Sequence, residues 1–308
     1  RDLVRSRGLG DVYKRQSLSN TSELTKDEDG TVINKTASYA GDGGLQQVFA
    51  GVGFKVLDNL SIGANISYIY GDITHSVTTA FSNSSSFSSV RLDKISINDY
   101  KLDFGLQYSY KFNKKHVLNF GAVYSLGHSV NGKGYKYNQK WLNGADYPST
   151  QTGDTITNAF SLPHTFGAGL TYVYDNRLTI GADFTYQQWE DAKFYNEKSY
   201  FSNRTKIAAG AEFVPNPYSR NYLKRVRYRV GGYYSDPYTK VDGQDGTREY
   251  GVSAGFGFPL FQSKSILNIS GQYVRVSPKV KGMLEENYLK INIGLTFNER
   301  WFMKWKVD

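Results

Sequence analysis

Three arginines stand at alternate positions, Arg225, Arg227 and Arg229, within residues 222–234. Alternate side chains of a strand share one face, so the three guanidinium groups form a ladder suited to bidentate capture of a carboxylate. Lys206 and Glu212 take the same facing in the preceding segment, and Glu249 takes it in the following one. The set has two readings. It is either a head-group site for an acidic ligand, with Lys206 contributing, or a charge network inside a lumen in which Glu212 and Glu249 answer the cations. The network is the simpler account. Trp189 shares the facing of Asp183, Thr185 and Gln187. An inward aromatic there touches an apolar ligand, or, if a bulge intervenes, joins an aromatic girdle.

Other chemistry is poorly supported. The 308 residues contain no cysteine, which excludes disulfide scaffolds, cysteine-ligated zinc and thiol nucleophiles. His75, His116, His128 and His164 are scattered without metal-ligand spacing. Asp27-Glu28-Asp29-Gly30 resembles half a calcium loop, but Thr36 stands where the bidentate glutamate belongs. Gly51-x-Gly53 precedes no helix and is no dinucleotide fingerprint. No catalytic residue, metal or cofactor is expected, and the chain does not read as an enzyme.

The elements that carry these residues alternate with period 2. Val48, Ala50, Val52, Phe54 and Val56 face one way, and Gln47, Gly51, Gly53 and Lys55 the other. The same pattern recurs through Leu60–Tyr70, Leu102–Phe112, Leu118–Leu126, Phe166–Tyr174, Leu178–Tyr186 and onward to Leu289–Phe297. About eleven strands follow, each with one apolar and one polar or small side, and almost no helical pattern. No apolar run approaches the ~18 residues of a membrane helix. The mean hydropathy of −0.51 does not separate a soluble sheet from a transmembrane barrel, because half of each barrel strand faces water.

The connections separate them. Tight links at 57–59, 113–115, 175–176 and 262–264, with a longer one at 215–221, alternate with long polar stretches at 71–89, 127–161, 190–203, 236–247 and 277–286. Outer-membrane barrels have short periplasmic turns and long extracellular loops. Tyr108, Tyr110, Tyr172 and Tyr174 lie beside short links, and Tyr68, Tyr70, Tyr124, Tyr186 and Tyr273 beside long ones, as two interfacial girdles require. Trp301, Phe302 and Trp305 with Lys304 and Lys306 read as a further interfacial anchor.

Residues 1–16 lack apolar periodicity and the core of a signal peptide, and they resemble an adapter-derived, non-native leader. Setting this leader aside removes five cations and two acids, so the formal charge of +9 falls to +6. The basic balance then gives no reason to expect a nucleic-acid partner. Residues 17–45 are expected as disorder or a partial strand and loop, and 46–308 as the barrel. Eleven is odd, whereas single-chain bacterial barrels have even strand numbers, so an N-terminally truncated barrel is expected.

The segment LPHTFGAGLTYVYDNRLTIGADFTYQQWEDAKF, residues 162–194, with Pro163 before one strand and Trp189 after the next, resembles the mid-barrel hairpin of the FadL-type outer-membrane transporters of hydrophobic compounds. The ending ENYLKINIGLTFNERWFMKWKVD and the stretch from Ser38 are similar to the Bacteroidetes branch of that family. The resemblance implies a transmembrane antiparallel β-barrel of fourteen strands with an N-terminal hatch. It implies passive transport of long-chain fatty acids or other hydrophobic compounds across the bacterial outer membrane. Expected partners are a fatty acid-like small molecule, the lipid bilayer with its lipopolysaccharide, and the outer-membrane assembly machinery, the chain itself being monomeric. A general porin, or a structural or adhesive barrel, is the alternative.

Overall fold

The computed structural model describes residues 16–26, 32–83, 86–142, 148–194, 198, 200–241, 243–260, 265–279 and 285–296. The chain runs up and down through β1 (Gln16–Lys26), β2 (Val32–Leu57), β3 (Leu60–Phe81), β4 (Phe87–Lys111) and β5 (His116–Ser125). An excursion follows: β6 (His128–Val130), β7 (Gly132–Leu142), β8 (Pro148–Thr157) and β9 (Phe160–Leu162). The wall resumes with β10 (Thr165–Tyr174), β11 (Leu178–Gln187), β12 (Arg204–Phe213) and β13 (Arg227–Ser235). A small hairpin, β14 (Lys240–Val241) and β15 (Gln244–Asp245), precedes β16 (Thr247–Pro259), β17 (Ile266–Pro278) and β18 (Glu286–Thr296).

One fourteen-stranded antiparallel sheet contains most of these. Its path runs β1-β2-β3-β4-β5-β10-β11-β12-β13-β16-β17-β18, with β7 and β8 branching from β4. Among the described residues the wall thus has twelve strands where the periodicity predicts about eleven. The added strand is β1, which pairs with the upper part of β2 from Gln16↔Gly41 to Lys26↔Val32. The stretch 17–45 contributes β1 and that upper part of β2, whereas residues 1–15 of the expected leader lie outside the described residues. So do 27–31, with the calcium-like acidic run, and Trp301, Phe302 and Trp305.

Facing follows the alternation. Val52, Phe54, Ile62, Leu170, Ile180 and Val252 are large apolar side chains and all are exposed. A solvated sheet has no reason to display such a band, and lipid is the medium that suits it. The opposite side is mostly small and polar, as at Gly53, Gly63, Asn65, Gly105 and Gln107. Register is kept across the wall, as in Gly53↔Gly63 and Gly63↔Gly105, so one face stays apolar from strand to strand. At the short-link end, Tyr110 and Phe112 are exposed and meet edge to face at 4.8 Å. His116 opens β5 there, with Nδ1 2.6 Å from the Tyr172 hydroxyl. The three-residue link after β10 places Asp175 and Asn176 at φ 50° and 52°, a conformation these two residue types tolerate.

The stretch 71–89 differs from the loop that its polarity suggests. Pairing continues through it, so β2 has 26 residues and β4 has 25, against 10 in β10. At about 3.3 Å per residue these strands are roughly 80 Å long, while a bilayer crossing needs about 9–11 residues. The upper parts of β1–β4 with β7 and β8 form a panel rising beyond the apolar band on one side of the wall. Two glycines make the continuation possible. Gly43 and Gly71 have φ of 110° and 144°. A Cβ on Gly43 would lie 2.1 Å from the Asp72 carbonyl oxygen, and one on Gly71 would lie 2.3 Å from that of Gly44. The Asp42-Gly43-Gly44 sequence therefore bends a strand rather than starting one.

Candidate binding site at the barrel mouth

Above the apolar band, the facing of hydrophobic residues reverses. Ile69 of β3 and Ile95 and Ile97 of β4 occupy the inward positions that are glycine or polar lower down, and all three are buried. They form a cluster with Val130 and Ala159, against which Leu45, Ile156, Phe160, Leu162 and Phe194 pack. The cover comes from the excursion, whose short strands β6 and β9 pair with each other through His128↔Leu162 and Val130↔Phe160. Backbone bonds tie this strap to its surroundings: the Ser161 N–H donates to the Lys193 carbonyl at 3.0 Å, and the Asn98 N–H to that of Asn131 at 3.2 Å.

Aromatic side chains extend the cluster. Trp189 leaves the wall at the end of β11 and sits in a single 3-10 turn, Trp189–Asp191. Its ring lies 5.3 Å from Phe201, 5.1 Å from Tyr238 and 6.3 Å from Phe160, and its Nε1 donates to Gln187 Oε1 at 3.1 Å. The structure places Trp189 over the mouth among these rings, and not among the exposed apolar residues of the band. Phe194 joins the group through Phe201 at 5.9 Å and Tyr200 at 5.3 Å.

Cations lie beside this group. Arg204 places its guanidinium 5.5 Å from the Tyr238 ring, and its Nε donates to Ser235 Oγ at 2.8 Å. Lys206, two residues further on the same face, has its ammonium 5.4 Å from the Tyr233 ring. Glu249 accepts a hydrogen bond from the Tyr233 hydroxyl. Arg204, Lys206, Tyr233 and Glu249 line a cavity of about 400 Å³. Of the residues singled out in the sequence, Trp189, Lys206 and Glu249 thus belong to the long-loop end of the wall.

The arginine ladder is at the opposite end and has only two rungs. Arg227 Nη1 donates to Glu212 Oε1 at 2.9 Å and Arg229 Nε to Glu212 Oε2 at 2.6 Å. Arg229 Nη1 also donates to Asn268 Oδ1 at 2.7 Å. Arg225 is not in the strand. It ends the 3-10 turn Tyr222–Lys224, with its guanidinium over the Tyr222 ring at 5.4 Å. Glu212 thus answers Arg227 and Arg229, and the turn takes up the residues before β13.

The mouth residues Ile69, Ile95, Ile97, Phe160, Phe201, Arg204 and Tyr238 escape a search for titratable motifs. Their signal is the reversal itself: Ile95-Ser96-Ile97 turns its apolar side chains to the face that Asp103, Gly105 and Gln107 occupy lower in β4. Among the described residues no group of three or more His, Cys, Asp or Glu could hold a metal ion.

A family model described as BamG matches residues 17–308. No curated protein matches the chain. Among solved structures, the Ralstonia pickettii toluene transporter TbuX is similar at a TM-score of 0.54 and 11% identity, over 92% of this chain and 81% of that one. The Pseudomonas putida toluene transporter TodX is similar at 0.53 and 14%, over 92% and 78%. A Pseudomonas aeruginosa FadL homologue is similar at 0.51 and 16%, over 85% and 70%. At such identities the likeness carries the fold, that of an outer-membrane β-barrel.

Proposed function

The chain belongs to the BamG family and is an outer-membrane β-barrel protein, and on that premise we propose that it passes hydrophobic small molecules, long-chain fatty acids or similar compounds, through its wall-enclosed interior. The observation that carries this reading is the apolar and aromatic site at the mouth. A wall whose inner face is mostly small and polar gathers Ile69, Ile95, Ile97, Phe160 and Trp189 at the end that long loops surround. A channel for polar solutes gains nothing from such a site, whereas a concave apolar surface with few polar groups suits capture of an apolar ligand.

Arg204 and Lys206 supply the polar end. A carboxylate head group beside the aromatic rings would meet both cations, so the acidic-ligand role expected of the ladder is assigned to the mouth. Arg227 and Arg229 are assigned the structural network with Glu212. Capture and release of a ligand require no bond chemistry, and we read the protein as a non-enzymatic monomer set in the bilayer. Insertion by the assembly machinery and a source in Bacteroidetes complete the reading. The tall panel of β1–β4, β7 and β8 favours a second reading, an adhesive barrel, because strands that rise well past the membrane offer a surface to extracellular partners.

The test is quenching of Trp189 emission by bromododecanoate, in bilayer nanodiscs and with Trp141, Trp301 and Trp305 changed to Phe. Saturable quenching is expected, weakened about tenfold, or ~1.4 kcal/mol, by Phe201→Ala. Quenching that merely tracks partition into lipid would contradict the proposal.

A further inference from the structure

The strap formed by β6 and β9 occupies the apolar patch with side chains of its own chain. Val130 and Ala159 are fully buried in one cluster with Ile69, Ile95 and Ile97 of the inner wall, and Phe160 and Leu162 pack against that cluster. The wall strands do not need the strap for their own pairing, since β5 pairs directly with β10 over ten residues. The strap's two strands have three residues each.

Its polar seat is poorly made. His128 is the first residue of the strap, and its ring is stacked on Tyr100 of β4 at 4.7 Å. Both ring nitrogens are buried, and neither has a hydrogen-bond partner. Its Nε2 is 3.4 Å from Asp99 Oδ2, an oxygen that already accepts from the Asn131 N–H at 2.6 Å. A neutral imidazole carries one donor and one acceptor, and leaving both dry and unmatched is a cost of the seated state. Water would satisfy them once the strap lifts. One end of the strap is held by shape: a Cβ on Gly127 would lie 2.3 Å from the His164 nitrogen and 2.6 Å from the Pro163 carbonyl carbon. That close fit makes the corner a natural fixed end about which the rest can move.

We infer that the strap is an autoinhibitory contact: Phe160, Leu162 and Val130 stand in for a ligand on the apolar patch, and an incoming hydrophobic molecule takes their place and lifts the strap from the mouth. An apolar ligand replaces apolar contacts with apolar contacts, so the exchange retains most of the buried surface. It also relieves the unmatched histidine. Ligand binding and opening are then one equilibrium, driven by the ligand's preference for the open state. This inference rests on the proposed capture of hydrophobic compounds at the mouth.

The experiment introduces one cysteine on the strap's own buried side, Val130→Cys, into the chain without native cysteine, and follows its modification by a water-soluble maleimide in bilayer nanodiscs. Ala159→Cys, equally buried, serves if the first variant does not fold. Slow labelling is expected without ligand, rising about tenfold with saturating bromododecanoate. Asp99→Ala, which removes the strap's polar seat, is expected to raise the rate without ligand. Trp189 quenching, read in the same samples, separates the two claims. Saturable quenching with unchanged or slower labelling would overturn the strap and leave the capture site standing. An absence of saturable quenching would overturn both.

Discussion

Glu212 receives two guanidinium groups at once, one on each carboxylate oxygen, and Arg229 is held from a second side by Asn268. Charge-assisted bonds of this kind are stronger than neutral ones. The three side chains are about one-quarter to two-fifths exposed, so solvent screening leaves well short of the full worth of a buried pair. Glu212→Ala is expected to destabilise the barrel by about 1–2 kcal/mol, read as a lower urea midpoint for unfolding from lipid vesicles. Arg225→Ala, outside the bidentate pair, removes the guanidinium stacked on Tyr222 and is expected to shift that midpoint by less than Glu212→Ala does. The alternation of Arg225, Arg227 and Arg229 shows in the sequence, and the parity that brings Glu212 to the last two holds in the fold. What the alternation does not contain is the turn at 222–224, where the Asn221 side chain accepts from the Leu223 N–H and removes Arg225 from the strand.

At the scale of elements, the hairpin of β14 and β15 is pinned from two directions. Ser202 Oγ donates to Asp245 Oδ1 at 2.7 Å, and Lys279 Nζ lies 3.1 Å from Asp245 Oδ2. Ser202 follows Phe201, so this tie fixes one wall of the aromatic group around Trp189. The Ser202 hydroxyl, and after it the Lys279 ammonium, hold the Asp245 carboxyl below the usual aspartate range. A depressed carboxyl contributes its stabilisation in full above its unfolded value, near 3.9, and loses it as pH falls through the folded value. Trp189 emission is therefore expected to be flat from neutral pH down to about 4 and to change below that. Asp245→Asn is expected to remove the acid step, as measured by fluorescence with the other three tryptophans changed to Phe.

The same scale shows how far period-2 reading reaches. Strands within the apolar band were legible because lipid outside and water inside impose opposite demands on alternate residues. Above the band neither face of β2, β3 and β4 meets lipid, the alternating demand is confined to the cluster of Ile69, Ile95 and Ile97, and a paired strand such as 71–81 reads as loop. The excursion hides its strap for a related reason. Three-residue strands such as Phe160–Leu162 are too short to show a period, and their burial comes from residues of β3 and β4 distant in sequence.

Over the whole molecule the wall is uneven, with short strands from β10 to β13 and strands of 22 to 26 residues from β2 to β4. The tall side carries the buried isoleucines of the mouth, the short side carries Arg204 and Lys206, and the aromatic group with the strap's Phe160 links the two. A molecule with an apolar body and an acidic end would find both within one mouth. The proposed passage of hydrophobic molecules is tested most directly by uptake across an intact outer membrane whose outer leaflet is lipopolysaccharide. Cells producing the protein would be compared for entry of N-phenyl-1-naphthylamine and of a disaccharide. Faster entry of the apolar probe alone, reduced by Trp189→Ala, is the predicted result. Faster entry of the disaccharide with no change for the apolar probe would contradict the account and make the barrel a polar channel.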